Sequence, residues 1–140
     1  MSQKVSSSFR DPSGVVFARQ WKLFRQVNKS YQSDYDLLMT SGLYQRLVKE
    51  KKLIAHTEVD EAPLEADLCY KVIAPERVEF ISYPYEWCFS QLKDAALLTL
   101  AIEKEALEFG MALKDASAYN IQFQQGRPVL IDTLSFAQYV

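Results

Sequence analysis

Glycine and proline are scarce in this chain, with 4 and 5 among 140 residues, so collagen-like repeats and flexible low-complexity linkers are excluded. It has two cysteines and a single histidine, without CxxC spacing, which excludes a zinc site built from Cys and His. The longest apolar runs are shorter than the roughly 20 residues that a membrane span needs. The first residues also lack the hydrophobic core of a secretory signal. We therefore expect a cytoplasmic protein.

The charge is nearly balanced, with 16 Lys and Arg against 18 Asp and Glu. This balance argues against a nucleic acid as partner, and no membrane partner is expected either. Apolar residues make up 49% of the chain and aromatic residues 13%, which is enough to build a core. The length and composition predict a single domain over residues 1–140.

Hydrophobic periodicity predicts strands and helices in alternation, which indicates the α+β class. Residues 10–85 form a strand-rich lobe with one helical region, and residues 86–140 form a long helix, a loop and a β-hairpin. The predicted elements are a hairpin over 15–27 joined near Arg19 and Gln20, helices over 33–52 broken at Gly42, an irregular segment over 53–66, strands over 68–73 and 78–82, a helix over 86–110 and a hairpin over 119–132.

The long helix is apolar on almost every side in its first half, so we expect burial on most of its faces. If a further lobe normally covers this helix, its absence leaves an apolar face exposed. The chain would then form a homodimer through that face of the long helix.

A pattern of three polar residues surrounds the last hairpin and defines the candidate site. Asp115 lies in the loop after the long helix, Asn120 begins one strand, and Asp132 ends the paired strand. Because the ends of a hairpin lie close together, these side chains can face one point. Oxygen ligands with a nearby carboxylate suit a magnesium ion and a hydroxyl nucleophile. The alternative is that all three residues cap and terminate turns.

This Asp-x4-Asn pattern, with an Asp ending the next hairpin, resembles the catalytic loop of the protein-kinase-like superfamily. The resemblance implies a kinase-like N-terminal lobe of short antiparallel strands, a catalytic-loop hairpin and a truncated C-terminal lobe. It also implies Asp115 as catalytic base, Asn120 and Asp132 as magnesium ligands, and ATP as nucleotide. Arg25 and Lys22 are the candidates for the family's phosphate contact.

Residues 24–28, 81–96 and 115–120 are similar to the N-terminal region of bacterial SAM-dependent methyltransferase-like proteins, some of them nodulation-related. The most specific part is the string Tyr-Glu-Trp-Cys-Phe-Ser-Gln at residues 85–91. The resemblance implies that this chain is a truncated, regulatory or ligand- or partner-binding domain. The methyltransferase domain downstream would be its partner and would bind S-adenosylmethionine. The alternative function is a magnesium- and ATP-dependent phosphotransferase acting on a small molecule.

Several other residues have simpler structural interpretations. Cys69 and Cys88 are predicted to be buried, with nothing nearby that would lower a thiol pKa. His56 lies in a polar stretch and is predicted to be solvated. The aromatic residues of segment 83–87 could line a ligand pocket, but their position beside a proline favours anchoring a helix to a sheet.

Overall fold

The computed structural model describes residues 3–4, 12–78, 81–114 and 117–140. The chain forms two compact units: Met1–Tyr35 with Ala55–Glu76, and Asp36–Ile54 with Arg77–Val140. Antiparallel strands and a long helix occur in this chain, so the predicted α+β class is confirmed. Its kinase-like character and its description as a single domain stay predictions.

The first unit contains a five-stranded antiparallel sheet with the strand order β1-β2-β3-β5-β4. Its strands are β1 (Gln3–Lys4), β2 (Gly14–Arg19), β3 (Lys22–Asn28), β4 (His56–Val59) and β5 (Cys69–Pro75). The central strand β3 therefore lies between β2 and β5, and β4 forms one edge of the sheet. Side chains at successive positions of β3 point to opposite faces.

The predicted first hairpin is confirmed, with its turn one residue later than expected. Arg19 pairs with Lys22, so Gln20 and Trp21 form a two-residue turn with φ values of 50° and 69°. A two-residue hairpin turn with positive φ at both positions matches the right-handed twist of the strands. Neither residue is glycine, so each carries a steric cost of about 1 kcal/mol.

Two predictions about the segments that precede and follow β5 are wrong. The segment predicted to be irregular contains β4, which pairs with β5 from His56 opposite Pro75 to Val59 opposite Val72. The strand predicted over 78–82 is absent at its described residues, 78, 81 and 82, while residues 79 and 80 lie outside the described part of the chain. The strand β4 has four residues, of which three are polar, so it carries little local signal of its own.

Apolar side chains on one face of the sheet form a small core. Phe17 and Phe24 face each other on β2 and β3 with ring centroids 5.5 Å apart, and Val72 on β5 joins them. Leu64 from the connection between β4 and β5 packs against this group. The buried amide of Gln26 holds the same connection, because its Oε1 accepts the Glu65 backbone N–H at 2.9 Å.

The helical region divides into α1 (Gln32–Thr40), which begins in the first unit, and α2 (Leu43–Lys49). Gly42 between them has φ of 94°, a conformation that favours glycine. The predicted break at Gly42 is confirmed.

The second unit contains the long helix and two small antiparallel sheets. The helix α3 spans Phe89–Glu108, and Gly110 follows it with φ of 76°. The strands are β6 (Met111–Leu113), β7 (Ile121–Gln124), β8 (Arg127–Leu130) and β9 (Phe136–Gln138), in which β6 pairs with β9 and β7 with β8. The predicted last hairpin is therefore confirmed, whereas the β6–β9 pair was not predicted.

The helix α3 is buried along one face only, so the prediction of burial on most faces of its first half is wrong. Its buried residues are Ala95, Leu98, Ile102, Glu105 and Ala106. Apolar side chains on the other side remain exposed, including Phe89, Leu92, Leu97 and Leu100. An apolar composition on all sides thus did not produce burial on all sides.

Ion pairs connect α2 to α3 beside this buried face. The Glu105 carboxylate contacts Arg46 Nε at 3.1 Å and Lys52 Nζ at 2.9 Å. The hydrogen bond to Glu105 raises the pKa of Lys52, although desolvation acts in the opposite direction. The two cations compensate the nearly buried Glu105, since an unpaired charge at such a place would be costly.

Candidate functional site

The last hairpin places Asn120 beside the end of β8. Ile121 pairs with Leu130, and one residue further out the Ile131 N–H donates to the Asn120 carbonyl at 2.8 Å. The backbones of Asn120 and Ile131 are therefore neighbours, and Asp132 follows directly. The hairpin brings these two predicted metal ligands within one residue of each other along the ladder.

Both predicted ligands also lie at an end of a short 3₁₀ turn. The Asp132 Oδ1 accepts the Leu134 N–H at 3.0 Å at the start of the 3₁₀ turn Thr133–Ser135. Asn120 ends the 3₁₀ turn Ala118–Asn120. Carboxylate and amide oxygens are ligand types that magnesium accepts, and the roles of Asn120 and Asp132 as ligands stay predictions. The predicted base Asp115 lies outside the described residues.

Arg25 and Lys22, the predicted phosphate contacts, lie on β3 in the first unit. They are three positions apart on a strand, so their side chains leave opposite faces of the sheet. Lys22 is exposed opposite Arg19, whereas Arg25 is half-buried between Val16 and Ile73. The two cations are therefore alternatives on opposite faces of the sheet, and a phosphate contact for either one stays a prediction.

A different group of residues, which we call the aromatic loop (residues 81–87), is held firmly on β7. The buried Gln122 accepts the Ser82 N–H at 2.8 Å and donates to the Ser82 carbonyl at 2.9 Å. The Trp87 Nε1–H donates to the Ser82 hydroxyl at 2.9 Å, and the indole packs edge-on against Phe123. Trp87 therefore anchors this loop to β7. The prediction that the aromatic residues of this segment anchor a helix to a sheet is wrong for Tyr83 and Tyr85, which are exposed.

Tyr83 and Tyr85 in the same loop point to solvent instead. Their rings are parallel within 3°, with centroids 5.6 Å apart, and they are 45% and 77% exposed. The Glu86 carboxylate accepts a hydrogen bond from the Tyr83 N–H at 2.8 Å, which fixes the turn over residues 83–86. The exposed side chain of Ile81 belongs to the same loop. The structure thus presents an ordered apolar surface to solvent.

A polar cluster in the first unit was missed by the sequence prediction. The buried Tyr35 hydroxyl donates to Glu58 Oε2 at 2.7 Å and lies 3.0 Å from His56 Nε2. Lys71 reaches Glu58 at 3.0 Å. The alternation of His56 and Glu58 on one face of a short strand was the available signal, but the partners Tyr35 and Lys71 are distant in sequence.

This cluster alters the ionisation of its members. Burial lowers the pKa of His56 to about 4, while the nearby Glu58 charge acts in the opposite direction. Desolvation disfavours the charged form of Glu58, but hydrogen bonds from Tyr35 and Lys71 prevail and lower its pKa. The prediction of a solvated His56 is therefore wrong.

The two cysteines differ from the prediction and from each other. Cys69 is half-buried, and desolvation raises its thiol pKa. Cys88 is exposed just before α3, and its hydrogen bond with Ser90 lowers its thiol pKa. The predicted burial of Cys88 is therefore wrong.

The described ranges contain no cluster of three or more His, Cys, Asp or Glu side chains placed to hold a metal ion. Within those ranges, no helix combines the length and apolar character required to cross a membrane.

Together these features define an α+β protein whose second unit exposes aromatic and apolar side chains. No family model matches the chain. It is 36% identical over 138 residues to a protein of Rhizobium meliloti (strain 1021), the nodulation protein NoeA. The match covers 97% of this chain and 29% of NoeA, so the chain spans less than a third of the length of that relative.

Proposed function

We propose that this chain is a regulatory, partner-binding domain of a longer, nodulation-related protein that resembles SAM-dependent methyltransferases. Its partner is the methyltransferase region of the same protein. The observation that carries this proposal is the exposed Tyr83–Tyr85 pair on the aromatic loop. Exposed tyrosines on an ordered backbone suit protein interfaces, because they supply a large contact area at little cost in conformational entropy.

The distribution of glycine supports a binding role rather than methyl transfer within this chain. Its four glycines, at positions 14, 42, 110 and 126, are widely separated. A dinucleotide-type cofactor site instead places several glycines in one strand-to-helix turn. We therefore assign S-adenosylmethionine to the methyltransferase region, and the 71% of NoeA outside the match leaves room for such a region.

Calorimetric titration of the chain with the separately expressed methyltransferase region tests the proposal. Replacing both Tyr83 and Tyr85 by serine should weaken binding by about tenfold or more, because interface aromatics often dominate the binding energy. Tyr139→Ser is the matched control, since Tyr139 is also exposed and its backbone contacts Gly110 beyond the other end of α3. Equal affinities for all three proteins would contradict the proposal.

A second candidate function is a magnesium- and ATP-dependent phosphotransferase acting on a small molecule. It is favoured by the adjacency of Asn120 and Ile131 in the last hairpin, which keeps Asp132 close to Asn120. When bound, magnesium would neutralise developing charge on the phosphates. Asn120 and Asp132 would supply oxygen ligands, and Asp115 would accept the proton of the substrate hydroxyl.

Titration with ATP, with and without magnesium, tests this second candidate. Binding that requires magnesium and disappears in Asp132→Ala, but persists in Asp94→Ala, would support it. Asp94 is the control because it is exposed on α3. Asp115→Ala separates the two candidates, since loss of a base abolishes transfer but leaves partner binding intact.

A further inference from the structure

The exposed side of α3 carries a regular pattern of its own, which we call the outer stripe. Its positions follow one another at intervals of four and three residues, the spacing of a coiled-coil seam. The outer stripe consists of Phe89, Lys93, Ala96, Leu100, Glu103 and Leu107. It faces away from Leu98 and Ile102, which are buried in the core of the second unit.

The side chains of the outer stripe are accessible. Phe89 is 82% exposed, Leu100 67% and Leu107 46%. Lys93 and Ala96 are also exposed, and Glu103 is half-buried. Apolar residues at regular seam positions on a solvent-facing side indicate a surface that packs against another helix.

We propose that α3 pairs with α3 of a second copy of this chain in an antiparallel orientation. In an antiparallel pair, each seam position of one type meets the other type in the partner helix. We place the twofold axis of the dimer at position 98. Three pairs of residues then face each other across the interface, and the symmetry makes each contact twice: Phe89 with Leu107, Lys93 with Glu103, and Ala96 with Leu100. The outer stripe is therefore complementary to itself.

The two charges select this orientation. Lys93 and Glu103 are the charged residues of the outer stripe, and they lie symmetrically about position 98. A parallel pair would put Lys93 against Lys93 and Glu103 against Glu103, which is repulsive. The antiparallel pair makes two identical Lys–Glu ion pairs instead. A polar pair within a seam is a recognised means of fixing register.

Neighbouring residues are compatible with this arrangement. Leu97, which flanks the outer stripe and is exposed, lies next to the twofold axis and would meet its own copy. The Glu103 oxygens each lie 3.3 Å from the Leu113 N–H. A carboxylate has about four acceptor sites, so this contact leaves capacity for Lys93 of the second copy.

Charge reversal tests the proposal on the full 140-residue chain by sedimentation velocity at a series of concentrations. The wild type should form a dimer, and Lys93→Glu should raise the dimer dissociation constant by about tenfold or more, because it opposes two carboxylates. Glu103→Lys should have a similar effect. The double variant with both changes should restore the dimer, since the ion pairs re-form with exchanged signs.

Lys49→Glu is the control for net charge, because Lys49 is exposed at the end of α2. Far-ultraviolet circular dichroism shows whether each variant is folded. If Glu103→Lys fails to fold through loss of its Leu113 contact, Leu100→Lys serves in its place and should give a monomer.

A wild type that stays monomeric at every concentration would overturn the proposal, as would a double variant that remains weak. The proposal also fails if the wild type is a monomer that binds the methyltransferase region and Leu100→Lys abolishes that binding. In that case the rest of the longer protein covers the outer stripe. The aromatic-loop variants test the proposed function separately.

Discussion

Cys88 shows how the start of a helix can determine the chemistry of one side chain. Its apolar neighbours in sequence favoured burial, but the residue lies just before α3 and is exposed. Its thiol is 3.2 Å from the Ser90 hydroxyl, and the backbone N–H of Gln91 also hydrogen-bonds to the thiol. These hydrogen bonds favour the thiolate, whereas Cys69 experiences mainly desolvation.

We predict that Cys88 reacts with iodoacetamide faster than Cys69, because the thiolate is the nucleophile and Cys88 is both more exposed and more acidic. Mass spectrometry of peptides from the native chain at neutral pH measures the two rates. Cys88→Ser should leave only the slow modification. Faster labelling of Cys69 in the folded wild type would contradict this prediction.

The edge strand β4 depends on side-chain contacts that link it to α1. His56 and Glu58 on this strand both contact the Tyr35 hydroxyl, and Glu58 also pairs with Lys71 on β5. An edge strand has hydrogen-bonded neighbours on one side only. The ionisation of His56 and Glu58 should therefore influence how well β4 stays attached.

We predict that the free energy of unfolding decreases as the pH falls from 6.5 to about 4. Burial lowers the His56 pKa to about 4 in the folded chain, against an ordinary value of 6.5. The unfolded chain therefore binds more protons within this interval, and acid favours unfolding. Urea denaturation at a series of pH values measures the effect.

His56→Asn should flatten this pH dependence, because asparagine does not titrate and its amide can still donate to Tyr35. His56 is the one histidine of the chain, so no other imidazole contributes to the pH dependence of the free energy of unfolding. Glu58→Gln is the control: it removes a charge that opposes the lowering of the His56 pKa, so the histidine contribution should be at least as large as in the wild type. Identical slopes for the wild type and His56→Asn would refute the assignment.

The junction of α2 and α3 depends on one acidic residue. Glu105 is nearly buried and pairs with Arg46 and Lys52. We predict that Glu105→Gln lowers the free energy of unfolding by about 2 kcal/mol, because Arg46 and Lys52 both lose their ion pair with a nearly buried carboxylate. Urea denaturation measures this change.

Glu108→Gln is the matched control for that variant. Glu108 also contacts Arg46, at 3.4 Å, but its side chain is about half exposed. An exposed ion pair contributes about 0.5 kcal/mol or less. Similar losses in the two variants would show that burial of Glu105 is not the source of its effect.

The chain as a whole should gain stability from association through the outer stripe. A dimer that forms only from folded chains raises the melting temperature as the protein concentration increases. We predict this concentration dependence for the wild type and its absence for Leu100→Lys, measured by differential scanning calorimetry. A wild-type melting temperature that does not change with concentration would contradict the prediction.

Local patterns were sufficient to predict several elements. The two hairpins, the break at Gly42 and the end of the long helix near Gly110 depend on turn residues and on hydrophobic periodicity within a few residues. The last hairpin, formed by β7 and β8, also made the proximity of Asn120 and Asp132 predictable. The metal and catalytic roles of Asn120, Asp132 and Asp115 stay predictions.

Contacts between distant segments were not predictable in the same way. No local sequence pattern specifies which distant residues pair with each other in three places. These are the pairing of β4 with β5, the pairing of β6 with β9, and the contact of Tyr35 with His56. The short strands carry too few residues to show a clear period.

The amino-acid order thus determined the α+β class, the turns and the apolar character of α3, because these depend on backbone preference and on side-chain composition along a few turns. Tertiary structure alone decided which apolar face of α3 is buried and which remains exposed, since both faces are apolar in sequence. It also decided that His56 is half-buried and that Cys88 is exposed. These properties depend on which distant segments pack against each residue, and therefore on burial that only the assembled fold defines.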